Sequence, residues 1–185
     1  MVKTNPLSVK DITNYAKQIR QSYKIKEDEC FPIFDYIDYL CANGYLSMQI
    51  IADDDKYLDS NTVALYNSYD NFIYVKESVI DEIESGNYRS NFTLAHELFH
   101  YIQNKVLGFD FERVEEEKVY EDPEWQANVF AGELLLPTDA LQIDDNEYLA
   151  SHYKVSFECV LTRKVKNKKR EEYKSVKWKK STLKS

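Results

Sequence analysis

Apolar side chains recur every three or four residues near the start of the chain, which is the spacing of an amphipathic helix. Residues 9–23 follow this spacing and predict the first helix. A second, shorter helix is predicted from Pro32 to Cys41, because the apolar run there leads to Gly44, a residue type that commonly ends helices. The chain is therefore expected to begin with a helical part.

The period then changes to that of strands. Residues 45–52, 61–67 and 71–76 are short, rich in β-branched and aromatic side chains, and separated by polar turns. They predict three strands, of which the last two form a hairpin. After residues 83–86 the helical spacing returns and continues through the remaining structured part of the chain.

This order of elements predicts an α+β fold, with a small mixed or antiparallel sheet packed on a central helix and a helical part after it. A chain of 185 residues can bury one core and is short for two domains, so we expect a single domain over residues 1–162. Its expected parts are an N-terminal helical part (1–44), the sheet (45–77), a pair of central helices (90–136) and C-terminal helices (138–162).

Charge is distributed unevenly, although the formal net charge of the whole chain is only -8. Residues 163–185 carry eleven Lys or Arg against two Glu, so the rest of the chain is strongly acidic. An acidic body repels nucleic acid, and we expect contact with nucleic acid only through this basic end. Such a chain end is most often solvated, so residues 163–185 are predicted to be a basic, mobile tail.

Composition also bears on the cellular compartment. No run approaches 18 consecutive apolar residues, and the first residues lack an apolar stretch with a small-residue cleavage site, which favours a cytoplasmic protein without a membrane partner. Cys30, Cys41 and Cys159 are odd in number and lack C-x-x-C spacing. We interpret them as reduced, partly buried packing residues.

Residues 92–107, FTLAHELFHYIQNKVL, are predicted to form a helix with an N-cap at residues 90–91. His96 and His100 are four residues apart, so their imidazoles lie on one face, one turn above the other. This H-E-x-x-H spacing lets two imidazoles bind one Zn²⁺, while Glu97 takes a proton from a water that the metal acidifies. The pattern predicts a zinc peptidase site in which Glu97 is catalytic.

A third protein ligand is expected, because catalytic zinc usually has three. Residues 122–137 predict another helix, with Asp122 as its N-cap and Pro123 at its first helical position. Glu124 shares a face with small apolar residues that allow close packing, whereas Glu133 points to the opposite side. Glu124 is therefore the predicted third metal ligand. The alternative is a surface carboxylate that compensates the helix dipole.

Two motifs, F-T-L-A-H-E-L-F-H-Y and E-W-Q-A-N-V-F-A-G-E-L-L-L-P, resemble those of the ImmA/IrrE family of metallopeptidases. The resemblance implies a zincin-like fold, with His96 and His100 as ligands, Glu97 as the catalytic residue and Glu124 as the remaining ligand. Members of that family typically cleave a helix-turn-helix repressor, which relieves repression of a mobile element or a stress regulon. The resemblance therefore implies a zinc-dependent endopeptidase whose partner and substrate is such a repressor.

Two other functions stay open at this point. A catalytically silent member of the family would act as a regulatory binding module that sequesters a repressor. Residues 148–163 also have the cadence of a helix-turn-helix, with Ser156 as an N-cap and with Val160 and Leu161 in the packed set, which would allow DNA binding. The chain could also regulate by contacting DNA through its basic C-terminal end.

Three further residues have a structural and a functional interpretation. Phe99 stands where the family usually has Gly, which suggests a repacked neighbour that leaves the ligands intact. His152 could stabilise an oxyanion but is interpreted as a surface histidine. Tyr101 could be a catalytic phenol but is interpreted as a core aromatic.

Overall fold

The computed structural model of this chain describes the backbone of residues 2–108, 112–113 and 118–182, and the side chains of residues 4–108 and 118–172. The described helices are α1 (Val9–Ser22), α2 (Ile33–Ala42), α3 (Glu77–Glu84), α4 (Arg89–Tyr101), α5 (Pro123–Leu135), α6 (Asn146–Tyr153) and α7 (Phe157–Thr182). The described strands are β1 (Val2–Lys3), β2 (Ser47–Ile51), β3 (Ala64–Asn67), β4 (Phe72–Lys76) and β5 (Glu112–Arg113). This order of elements confirms the predicted α+β fold.

Three of these strands form the sheet that lies against α4. β4 is central, parallel to β2 and antiparallel to β3, with Ala64 opposite Val75. The predicted hairpin is confirmed, and Asn71 turns it with a φ of 64°, a left-handed conformation that Asn tolerates. Because β3 is an edge strand of this sheet and packs on α4, a strand edge runs beside the H-E-x-x-H helix.

α4 and α5 pack on each other in the centre of the core. Phe99 on α4 stacks on Phe130 on α5, with ring centroids 4.4 Å apart, and both side chains are fully buried. At the start of α5 the Asp122 side chain accepts a hydrogen bond from the Glu124 N–H, and Pro123 occupies the first turn. The predicted start of this helix is therefore confirmed.

α4 begins earlier than its sequence suggests. It starts at Arg89, so Ser90 and Asn91 lie inside the helix and their prediction as N-cap is wrong. Their side chains serve tertiary contacts instead: Ser90 Oγ donates to the Glu82 carboxylate, and Asn91 Nδ2 donates to the Lys154 carbonyl 2.9 Å away. These contacts tie α4 to α3 and to the turn after α6.

Phe99 is expected to be a major source of stability, because its ring fills the space between α4 and α5. Phe99→Ala should lower the free energy of unfolding by about 3–5 kcal/mol, the usual cost of emptying a buried aromatic site. Urea denaturation measures this, with Phe157→Ala as the control because that ring is 48% exposed. A loss for Phe99→Ala no larger than that of the control would contradict the packing role.

A tight turn joins α6 to α7. Lys154 has a φ of 51°, and Ser156 Oγ accepts a hydrogen bond from the Cys159 N–H, which caps α7 as the sequence predicts. Val160 is buried as expected, whereas Leu161 is 42% exposed, so the prediction that it packs in the core is wrong.

α7 continues past residue 163, the predicted boundary between the domain and its tail. Arg163 is buried, with its Nη2 3.0 Å from Oε2 of Glu133 on α5, so the helix is held against the core at this point. The division of the chain at residue 163 and the mobility of residues 163–185 stay predictions.

The chain contains three cysteines, Cys30, Cys41 and Cys159. The three cysteines are free thiols of intermediate exposure, and burial raises the pKa of each. None of the described helices is both long and apolar enough to cross a lipid bilayer.

Candidate metal centre

His96 and His100 on α4 meet Glu124 on α5 at one point between the two helices. Nε2 of His96 lies 3.0 Å from Nε2 of His100. The carboxylate oxygens of Glu124 lie 3.1 Å from His96 Nε2 and 3.3 Å from His100 Nε2. Among the residues that the structure describes, these three form the one group of His, Cys, Asp and Glu side chains close enough to hold a metal ion. The structure thus brings together all three predicted ligands.

A chain of buried side-chain amides determines which nitrogen of His100 carries the hydrogen. Gln126 Nε2 donates to the backbone carbonyls of Asn5 and Tyr120, both 2.8 Å away, so its amide oxygen must face the other way. That oxygen accepts a hydrogen bond from Gln103 Nε2 at 2.8 Å, which turns the Gln103 oxygen toward Nδ1 of His100 at 2.9 Å. In the neutral imidazole Nδ1 therefore carries the hydrogen, which leaves the Nε2 lone pair to bind a metal at the meeting point.

Each imidazole has a side-chain amide oxygen near its Nδ1, the nitrogen that faces away from the meeting point. Gln103 is fully buried in the π-helical turn that follows α4, Ile102–Val106, and this turn places it next to His100. Asn128 lies one turn after Glu124 on α5, and its Oδ1 is 3.2 Å from Nδ1 of His96. Such a partner on the far nitrogen is what orients histidine ligands in metal sites.

The donor set fits a divalent cation such as zinc. Two imidazole nitrogens that both present lone pairs across 3.0 Å, beside a carboxylate, repel one another unless a cation or a proton neutralises them. Hydrogen bonds with His100 and with His96 hold the pKa of Glu124 well below its usual range. Burial lowers the pKa of His100, but the hydrogen bond to Glu124 and neighbouring carboxylates together raise it by more. A metal must therefore displace a proton here, so its affinity should fall in acid.

Glu97 lies beside the meeting point and is held by the sheet. It is 7% exposed, and its Oε2 accepts a hydrogen bond of 2.7 Å from the backbone N–H of Tyr66 on β3. Burial raises the pKa of Glu97, and the nearby His100 and His96 oppose that shift only in part. A carboxylate with a raised pKa is a stronger base near neutral pH, which suits proton transfer.

Gln103 should matter for metal binding although it is not a predicted ligand. Gln103→Leu removes the hydrogen-bond acceptor for His100 Nδ1. The zinc dissociation constant should therefore rise about 10–100-fold, the usual effect of losing a residue that hydrogen-bonds to a metal ligand. Competition with a chromophoric chelator measures this, and ¹⁵N NMR of the imidazoles should show His100 losing its single tautomer. The exposed Gln49→Leu on β2 is the control. Unchanged zinc affinity in Gln103→Leu would contradict the role of the amide chain.

His152 and Tyr101, which the sequence left with both a structural and a functional interpretation, make structural contacts. His152 Nε2 lies 2.7 Å from the carbonyl oxygen of Asp28, and its ring stacks on Tyr148. Tyr101 is buried and packs edge-on against Tyr66 with ring centroids 5.9 Å apart. Both arrangements agree with the structural interpretations of these residues.

Sequence reasoning missed the residues that support the site. Two of them carried a local signal: Gln103 follows His100 by three residues and Asn128 follows Glu124 by four, which are same-face spacings on a helix. Gln126 and the backbone N–H of Tyr66 carried none, because their partners are distant in sequence.

The chain is similar to known proteins over a region that includes α4 and α5. A family model described as the IrrE N-terminal-like domain, of the M78 peptidases, matches residues 65–164, more than half of the chain. A solved structure described as a Mycobacterium tuberculosis transcriptional regulator is similar in fold, with a TM-score of 0.56 and 18% sequence identity, over 82% of this chain. The matched region is 45% of that protein, so this chain spans less than half of its length. No curated protein matches this chain by sequence.

Proposed function

We propose that this chain, which belongs to the M78 peptidase family with its IrrE N-terminal-like domain, is a zinc-dependent endopeptidase. Membership agrees with the resemblance to ImmA/IrrE proteins and with a zincin-like fold. The observation that carries the proposal is the convergence of His96, His100 and Glu124, with the buried carboxylate of Glu97 beside them. His96 and Glu97 also line a cavity of about 900 Å³, which is large enough for a peptide segment.

Four residues of this chain would bind the metal and transfer the proton. His96, His100 and Glu124 would hold the metal, and when bound, zinc supplies Lewis-acid chemistry that acidifies water and polarises a carbonyl group. Glu97 would take a proton from the attacking water and pass it to the nitrogen of the leaving amine. The Tyr66 N–H fixes one carboxylate oxygen of Glu97, which leaves the other oxygen for this proton transfer.

The proposed substrate is a helix-turn-helix transcriptional repressor. Two observations support it: the family resemblance, and the fold shared with a protein described as a transcriptional regulator. Cutting the repressor would relieve repression of the genes that it controls, such as those of a mobile element.

The test is whether a helix-turn-helix repressor encoded next to this chain is cut. The zinc-loaded protein should convert the repressor to fragments that mass spectrometry identifies, and a chelator should stop the reaction until zinc is restored. Release of an intact repressor from DNA, with or without chelator, would contradict peptidase activity. That result would instead support a regulatory binding module without catalysis.

A further inference from the structure

The cavity that adjoins the candidate metal centre at His96 and Glu97 has a second wall, formed by one face of α7. Residues of this helix that line the cavity recur at helical spacing: Cys159, Thr162, Arg163, Lys166, Asn167 and Arg170. The same cavity is lined by His96 and Glu97 from α4. A segment that reaches Glu97 through this cavity therefore lies along α7.

α7 is fixed in this position by a buried charge network with α5. Glu133 is 2% exposed, and its two carboxylate oxygens lie 3.0 Å from Nη2 of Arg163 and 3.5 Å from Nη1 of Arg170. Thr138 Oγ1 donates to the same carboxylate at 2.9 Å. Gly132 makes room for this contact, since a Cβ there would lie 2.9 Å from Nη1 of Arg163. The wall is therefore in direct contact with α5, the helix that carries Glu124.

Cations predominate along this cavity. Its lining includes Arg89, Arg163, Lys166 and Arg170, against the acids Glu97 and Glu158. Arg163 and Arg170 share the single carboxylate of Glu133. Within the described side chains, residues 4–108 and 118–172, neither Arg89 nor Lys166 is in an ion pair, and both are exposed. Arg89 belongs to the body, residues 1–162, in which acidic residues greatly outnumber basic ones, and Lys166 lines the same cavity from α7.

We propose that the cavity selects substrate segments that carry acidic side chains close to the scissile bond, with Lys166 and Arg89 as the residues that bind them. This inference rests on the proposed peptidase function and adds the class of sequence that the enzyme prefers. A cleft lined by one sign of charge concentrates ligands of the opposite sign, and ion pairs formed inside it are less screened than those on an open surface. The acidic remainder of residues 1–162 repels the same ligands.

The experiment compares two mixed peptide libraries that differ only in charge. One contains Asp and Glu, and in the other these are replaced by Asn and Gln. The zinc-loaded protein should cleave the acidic library at least about tenfold faster, and Lys166→Glu should remove that preference. Lys168→Glu is the matched control, because it makes the same charge change on α7 outside the cavity lining. Mass spectrometry of the products locates the acidic positions relative to the cut.

A binding measurement tests the preference for acidic peptides independently of catalysis. Fluorescence anisotropy with labelled members of each library, on zinc-loaded Glu97→Gln protein, should show tighter binding of acidic peptides that weakens in Lys166→Glu and not in Lys168→Glu. Equal binding of both libraries overturns the charge selectivity, whether or not hydrolysis occurs. Selective binding without any cleavage by the unmodified protein would overturn the peptidase proposal and leave the acidic specificity standing.

Discussion

Glu97→Gln is expected to lower kcat for peptide cleavage by at least about a hundredfold, because general bases contribute roughly 10²–10⁴ to such rates. The change removes the charge and basicity of the carboxylate while keeping its size. The amide oxygen of Gln can still accept the Tyr66 N–H bond that holds Glu97 in place. The metal ligands are untouched, so zinc content should stay that of the unmodified protein.

The measurement is steady-state cleavage of the repressor, together with zinc determined by atomic absorption on the same samples. Glu84→Gln is the matched control, because Glu84 is an exposed acid on α3 outside the cavity lining. It should leave kcat unchanged. Full activity in Glu97→Gln, with zinc bound, would reject Glu97 as the base and would require another proton acceptor.

The three candidate metal ligands were predictable because local helix geometry determines where each of them lies. His96 and His100 are placed by helical spacing alone, and that spacing survives in any protein context. The start of α5 was equally local, since Asp122 and Pro123 determine it through capping and a fixed φ. Once both helices were predicted, the face of α5 that carries Glu124 could be expected to meet the imidazoles, and the structure brings the three side chains together.

The support around this group was not predictable, because it depends on long-range contacts. Gln126 reads as a polar surface residue, yet it is fully buried because the carbonyls of Asn5 and Tyr120 satisfy its amide. Ser90 has the propensity of an N-cap, but the Glu82 carboxylate takes its hydroxyl and the helix starts earlier. In such cases a tertiary partner outweighs the local preference.

A tertiary partner also determines the burial of a residue in the basic C-terminal region. A run of Lys and Arg resembles a solvated end, since isolated charges gain nothing from burial. Arg163 is nevertheless buried, because Glu133, predicted only to face away from the ligand side of α5, lies where it can form an ion pair. Sequence showed that Glu133 points away from Glu124, but not which residue it would meet.

Glu124→Gln is expected to raise the zinc dissociation constant by at least about a hundredfold. This effect is larger than that of losing a residue that hydrogen-bonds to a metal ligand, which raises the constant about 10–100-fold. The carboxylate of Glu124 is the only anionic member of the group, and both of its oxygens face the imidazole nitrogens. A neutral amide keeps the shape and loses the charge that attracts the cation. Cleavage should disappear with the metal and return only at high zinc concentration.

Chelator competition at fixed pH measures this, with Glu121→Gln as the matched control. Glu121 is a neighbouring acid, three residues earlier, outside the group that can hold a metal, so its variant should bind zinc as the unmodified protein does. Raising the pH should recover little affinity in Glu124→Gln, because the missing charge, not a competing proton on His100, is then limiting. Equal zinc affinity in the Glu124→Gln and Glu121→Gln proteins would mean that the metal is held without the α5 carboxylate, and the two-helix centre would have to be abandoned.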